Sequence, residues 1–191
     1  MKQVLEQGAI GSLLSVELTH TQPAHPEDGI PGARWQVVPA MSGGGIFVDT
    51  GCHGVDTLDF LLGEMRNPRG QAENRAGLYE AEDYVEGEWN HPGGVLGRGH
   101  WNYAAHARSD LVRITGTDGW LEFSVFSPER TILHSGGETR EMPFERPQHV
   151  EQPMIQAVVD ELLGGSMAPS GAENALRAWQ TMEALFGDYY K

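Results

Sequence analysis

The chain has 191 residues, an apolar fraction of 39% and a formal net charge of −14. The length suits one domain over residues 1–191 with a substantial core, and the charge argues against nucleic acid or an anionic membrane surface as partner, since both need a basic footprint. No apolar run approaches the roughly twenty residues of a bilayer span, no basic-then-apolar leader opens the chain, and the single cysteine, Cys52, leaves no intrachain disulfide and fits a reducing cytoplasm.

In chain order, residues 1–7 suggest a short helix. Residues 12–21 alternate, with Leu14, Val16 and Leu18 on one face and Ser15, Glu17 and Thr19 on the other, which is the pattern of a half-buried strand. Residues 22–34 carry prolines, glycines and an acid pair and read as a loop. A glycine block, Gly43-Gly44-Gly45, leads into Asp49, His53 and an apolar run from Val55 to Leu62 closed by Gly63. That run reads as a helix with a glycine just past its end. Residues 63–70, with Pro68, read as a loop. Strands are predicted at 71–79, 84–90, 95–103, 111–115, 120–125, 131–134 and 139–142. His91-Pro92-Gly93-Gly94 and Gly116-Thr117-Asp118-Gly119 are the clearest hairpin turns, and short links favour antiparallel pairing. The end turns helical. Met154, Ile155, Val158, Val159 and Leu162 recur at helical spacing up to Gly164-Gly165, Ser170-Gly171-Ala172-Glu173 has the form of a capping box, and Leu176, Trp179, Met182 and Phe186 make a second stripe. The fold class predicted is α+β, a large open, mostly antiparallel β-sheet with helices packed on one face.

The chemistry concentrates in Asp49, His53 and Asp56. Spacings of four and three place them on one side of a helix, and a carboxylate beside an imidazole can move a proton near neutral pH. Each has a plainer reading. Asp49 also suits a first-turn acid that satisfies helix donors, His53 a histidine with a satisfied hydrogen bond, and Asp56 a loop anchor. Asp59 reads as a solvated or structural acid, and Cys52 as a small packed thiol. Arg34 supplies forked donors and Trp35 an indole face, both suited to a sugar, although Trp35 also suits a core anchor. The remaining histidines show no H-x-x-x-H or H-E-x-x-H spacing, so no metal site is assigned, although Asp49 and His53 with a distant His20 keep a metal-dependent hydrolase or isomerase open as an alternative.

The segment Gly43 to Asp56 resembles the signature G-G-G-x-x-x-D-x-G-x-H-x-x-D of the Gfo/Idh/MocA family of NAD(P)-dependent oxidoreductases. The opening Leu5-Glu6-Gln7-Gly8-Ala9-Ile10-Gly11, Arg34-Trp35, Gly116-Thr117-Asp118-Gly119 and the two-helix tail around Ser170 are similar to that family's C-terminal domain. The resemblance implies a fold of the dihydrodipicolinate-reductase C-terminal type. It also implies a sugar, polyol or inositol-like substrate, with Asp49 and His53 as catalytic residues and Arg34, Trp35 and Asp56 as substrate-binding ones. NAD or NADP would serve the complete enzyme, and association into a dimer or tetramer would run through the sheet. No G-x-G-x-x-G and no Glu-Lys-Pro occurs, and the two lysines are Lys2 and Lys191. The expectation is therefore a substrate half without its nucleotide-binding domain, binding no cofactor and inactive alone. A non-catalytic oligomerisation or sugar-binding module is the rival reading.

Overall fold

The computed structural model describes residues 1–191 except Ala33, Pro128, Glu129 and Glu145. Eight strands form one sheet: β1 (Leu13–Thr21), β2 (Arg66–Glu73), β3 (Tyr84–His91), β4 (Val95–Asn102), β5 (Ser109–Gly116), β6 (Gly119–Phe123), β7 (Thr131–Ser135) and β8 (Glu138–Met142). Their order is β2-β3-β4-β1-β5-β6-β7-β8, and every neighbouring pair is antiparallel except β1 with β4. The helices are α1 (Lys2–Glu6), α2 (Pro39–Ser42), α3 (Cys52–Leu62), α4 (Gln152–Leu162) and α5 (Ala172–Phe186). The predicted α+β architecture is the observed one, and both predicted hairpin turns join antiparallel pairs.

One face of the sheet carries the core. Val16, Leu18, Trp89, Trp101, Val112, Ile114 and Leu121 project into it and meet Leu58 of α3 and Met182 and Leu185 of α5. The helices lie close because glycines face them: a Cβ on Gly54 would stand 2.6 Å from Leu18 Cδ1, and one on Gly70 would stand 2.7 Å from the Leu185 carbonyl oxygen. Phe47 fills the centre, meeting Trp101 and Phe186 edge-on at centroid separations of 4.8 and 5.5 Å.

An ion pair between a buried acid and a part-exposed arginine couples the two packed helices. Asp59 on α3 is nearly fully buried and takes Arg177 Nη2 at 2.8 Å and Nε at 3.3 Å from α5. Asp59 is thus the structural acid of its two alternatives. The end of α3 is fixed by His91, whose Nε2 accepts from Trp89 Nε1 at 2.9 Å and whose Nδ1 donates to the Gly63 carbonyl at 2.7 Å. Burial lowers the pKa of His91, which agrees with a neutral ring donating at one nitrogen and accepting at the other.

Four expectations need correction. Leu14 is half exposed because a register shift between Leu13 and Ser15 breaks the alternation. Strand β2 starts at Arg66, not at 71: it is the sheet's edge, where Pro68 costs no ladder bond, and a bulge lies between Arg66 and Arg69. The strand stops at Glu73 because the Asp83 carboxylate takes the backbone N–H groups of Arg75 and Ala76 at 2.8 and 2.7 Å, turning the chain. Helix α5 begins at Ala172 behind Gly171, whose N–H reaches Asn174 Oδ1 at 3.4 Å, so Ser170 is not the capping residue. The apolar stripe of α4 is real in sequence but covers nothing: Met154, Ile155, Val158, Val159 and Leu162 are all exposed, as are Leu176 and Trp179 of α5.

A second buried carboxylate sets the geometry of the glycine block. Glu82, fully buried ahead of β3, accepts the Gly45 N–H at 2.9 and 2.7 Å from its two oxygens and also accepts the Tyr190 hydroxyl. A side chain at position 45 would stand 2.9 Å from the Glu82 carboxyl carbon, so only glycine lets the backbone reach this acid. Gly43 serves differently: it ends α2 in the left-handed region at φ 81°.

Two predictions follow from these carboxylates. Arg177→Ala leaves Asp59 buried without its cation and is expected to cost about 1–3 kcal/mol, read as a lowered urea midpoint; an unchanged midpoint would remove the α3–α5 tie. Burial holds the Glu82 carboxyl above its ordinary value of 4.5. The folded state therefore binds this proton more tightly than the unfolded state, and stability falls as pH rises from about 4.5 through the folded-state value. Glu82→Gln is neutral throughout and is expected to flatten that fall in urea midpoints measured across the window. Identical pH slopes for the two proteins would refute the assignment.

Candidate active site around His53

The glycine block delivers the chain into a π-helical turn, Phe47–Gly51, that runs directly into α3. Such wide turns leave backbone geometry off the regular helix and recur at functional sites. The turn is pinned from inside. Phe47 is its buried anchor, and the Thr50 hydroxyl bridges the Ile46 carbonyl and the Tyr103 hydroxyl at 2.9 Å to each. Asp49 projects from this turn and His53 from the first turn of α3, and both are exposed. Whether the local winding is α or π, a separation of four residues keeps them within about 40° of one another around the axis.

Asp56, one turn beyond His53, is half buried. Burial raises its carboxyl above the usual range, Asp59 adds to this, and His53 and Arg177 oppose it. His53 and Asp56 share a cavity of about 650 Å³. Thr57 extends its α3 wall, Phe126 after β6 forms a second wall, and Phe144 with Arg146 forms a third. Phe126 meets the His53 ring edge-on at 5.5 Å. The cavity thus combines an imidazole, a carboxyl, a guanidinium and two part-exposed aromatic rings, a set that suits an alcohol-rich ring with polar edges and an aliphatic face.

Arg34 and Trp35 do not line this cavity. Arg34 Nη1 lies 2.5 Å from Asp28 Oδ1, and Asp28 is buried and also takes the His25 N–H at 2.7 Å. This pair folds the 22–34 loop onto itself. Trp35 opens a 3₁₀ turn and is 51% exposed. Cys52 is half buried, with its thiol pKa pushed up by burial and by the Asp49 and Asp56 charges; it is a packed thiol rather than a reactive one. Among the described residues, no three His, Cys, Asp or Glu side chains come together in a way that could hold a metal ion.

Sequence reasoning missed Phe126, Phe144, Arg146 and Glu82. The first three lie in irregular segments without periodicity, where nothing in the local pattern separates a pocket wall from a solvated loop. Glu82 precedes Asp83 in an acid pair that looks like any exposed one; the buried glycine opposite, Gly45, lies 37 residues away.

The residues of this chain do not fit a dinucleotide. That ligand needs a parallel strand followed by a glycine turn and the N-terminus of a helix. Among the described residues the single parallel pair, β1 with β4, is joined through α2, α3 and an antiparallel hairpin, and no strand leads by such a turn into a helix.

The model of the GFO/IDH/MocA C-terminal domain matches residues 1–122. Oxidoreductase P35 of Formosa agariphila is 28% identical over 188 residues, which is 98% of this chain and 58% of that protein. Among solved structures, the aldose-aldose oxidoreductase of Caulobacter crescentus complexed with glycerol superposes with a TM-score of 0.79 at 19% identity, covering 96% of this chain and 55% of that one. A levoglucosan dehydrogenase in complex with NADH and levoglucosan gives 0.76 at 21% identity over 96% and 58%. The structural likenesses speak for the fold, and the chain spans little more than half the length of each relative. The sequence match over residues 1–122 of 191 goes further: this chain belongs to the GFO/IDH/MocA family through that family's C-terminal domain.

Proposed function

We propose that residues 1–191 are the substrate-binding and proton-handling half of an NAD(P)-dependent oxidoreductase acting on a sugar, polyol or inositol-like alcohol. The observation that carries the reading is the cavity in which His53 and Asp56 stand beside Phe126 and Phe144, with Asp49 one turn behind. In this reading a nucleotide-binding domain completes the enzyme, which works in the cytoplasm, and this chain alone does not turn over. The relatives support the substrate class, since glycerol and levoglucosan occupy two of them, and NADH is bound in one.

When bound, the nicotinamide supplies the hydride chemistry. The residues of this chain handle the rest. The substrate's aliphatic face lies on the aromatic walls, Asp56 holds a hydroxyl, and the His53 imidazole takes the proton of the reacting hydroxyl. The Asp49 charge favours the imidazolium so formed. Arg34 and Trp35, away from the cavity walls, would contribute only from the rim of the completed site.

The open face of the sheet supports association of this half with a second copy. Arg69, Glu88, Arg98, Glu17, Arg113 and Glu122 stand opposite one another across six consecutive strands, alternating in sign. A two-fold axis can set such a row against its own copy, each acid facing a base. An open trough of about 740 Å³ runs along the same face past Arg69, Glu86, Glu88, Arg98 and His100.

Three measurements test this reading. Titration calorimetry of the chain with oxidised and reduced NAD and NADP is expected to show no binding at micromolar levels; a micromolar Kd would contradict the half-enzyme assignment. Joined to a nucleotide-binding domain, His53→Ala is expected to lower the single-turnover rate about 10²- to 10⁴-fold with cofactor affinity unchanged. Asp49→Asn should also lower the rate, with the double variant losing less than the product of the two because the groups act as a unit. A His53→Ala rate equal to wild type would return His53 to a structural role. Light scattering at micromolar concentration should give a dimer or tetramer, and Arg98→Glu, which puts three acids in a row, should shift it to monomer; a wild-type monomer would sink the association.

A further inference from the structure

Phe126 is held by a device that the candidate site does not explain. Asp110 lies on β5, directly opposite His20 of β1. Its Oδ1 accepts the Val125 N–H at 3.1 Å, and its Oδ2 accepts the Phe126 N–H at 2.8 Å and the Ser124 hydroxyl. Ser124 Oγ in turn accepts the Ser127 N–H at 2.7 Å. The chain leaving β6 is therefore wrapped around one carboxylate, with successive backbone donors converging on an anion. Charge-assisted bonds of this kind are about twice as strong as neutral ones, so an otherwise irregular turn gains a fixed geometry.

That fixed geometry has one conspicuous product. The Phe126 ring is 40% exposed, yet it is wedged between two imidazoles, tilted against His20 at 5.0 Å and edge-on to His53 at 5.5 Å. His20 is buried, packs on Tyr103 at 5.6 Å, and its Nδ1 has no hydrogen-bond partner among the described residues. It thus gives the phenyl ring a buried ring to pack on. A half-exposed phenylalanine on a loop gains little from burial alone; held as it is, it gives His53 a neighbour that limits ring rotation and closes one side of the 650 Å³ cavity. Phe126 also offers that cavity a flat apolar wall.

We propose that Asp110 is a positioning residue: through the Ser124–Ser127 turn it locks Phe126 between His20 and His53, and so fixes the orientation of the His53 imidazole and the wall on which a substrate's aliphatic face rests. The substrate part of this inference rests on the proposed function; the positioning part does not. Asparagine at 110 would keep one acceptor oxygen but turn an N–H₂ group toward a backbone N–H, setting donor against donor.

The test is made on this chain, by NMR of the histidine ring carbons and their protons. An edge-on phenyl ring displaces the His53 ring-proton resonances through its ring current. Phe126→Leu is expected to abolish that displacement outright. Asp110→Asn should diminish it and broaden the His53 signals, and Ser124→Ala, which removes the two hydroxyl bonds of the turn, to Asp110 and from Ser127, and keeps both backbone bonds to Asp110, should do so in part. The Trp101 indole resonances, from the core, report whether each variant is folded. If His53 resonances in folded Asp110→Asn or Ser124→Ala coincide with wild type, Asp110 is merely structural and the proposal is overturned; should Asp110→Asn not fold, Ser124→Ala and Phe126→Leu decide alone. Inactivity of the completed enzyme on every polyol would strike the proposed function and leave this result standing.

Discussion

The buried carboxylate of Glu82 is the constraint around which the candidate site is arranged. A carboxylate without water must find donors, and the structure supplies two from segments distant in sequence: the Gly45 N–H and the Tyr190 hydroxyl. Satisfying it brings three distant segments to one point. The glycine block becomes obligatory at position 45, because any Cβ there would collide with the acid it must approach. The chain beyond Gly45 starts from this fixed point. It enters through the π turn, with Phe47 in the core and Asp49 outside. The orientation of Asp49 and His53 is thus set by a residue that never touches them.

The sheet separates two kinds of surface. On its inner face, glycines let α3 and α5 approach, and the Asp59–Arg177 pair keys the two helices together. On its outer face the same strands carry charges of alternating sign, with Trp120 stacked on His134 and Arg113 above Trp120. A face of this kind tolerates water, and in the proposed reading its charge order selects the partner. Helix α4 behaves differently. Among the described residues nothing buries its apolar stripe: Met154, Ile155, Val158, Val159 and Leu162 are all exposed.

Much of this was legible in the residues, and the failures have physical causes. The alternation of β1 and the glycine turns of the two hairpins are local signals that give antiparallel pairs, while the strand order, with β1 parallel to β4, depends on contacts distant in sequence. The helix from Val55 to Gly63 was equally plain, but its start was not, because the π turn is imposed by Phe47 and Glu82 and not by propensity. The α4 stripe was legible as a helix but its exposure was not, because periodicity reports amphipathicity, not what covers it. His53 and Asp56 were found together because helical spacing dictates it. Arg34 was judged by its chemistry alone, and Asp28, six residues earlier, claims its guanidinium. Phe126 and Arg146 had no local signal at all; the cavity they line is a tertiary fact.

Asp49 and His53 are exposed, and this bears on how such a site works. In water an imidazole and a carboxylate a turn apart interact weakly, because solvent screens them and competes for the same hydrogen bonds. Their cooperation in proton transfer strengthens when water is excluded. Within this chain water is kept from only part of the site, by Phe126 and its neighbours on one side of His53. What remains open is the side on which Asp49 and His53 project together. In the proposed reading the covering surface that brings the cofactor also dries that side, so one docking event supplies the oxidant and raises the strength of the proton-handling pair. Substrate recognition, residing in walls this chain holds rigid by itself, is then separable from catalysis, which waits for closure.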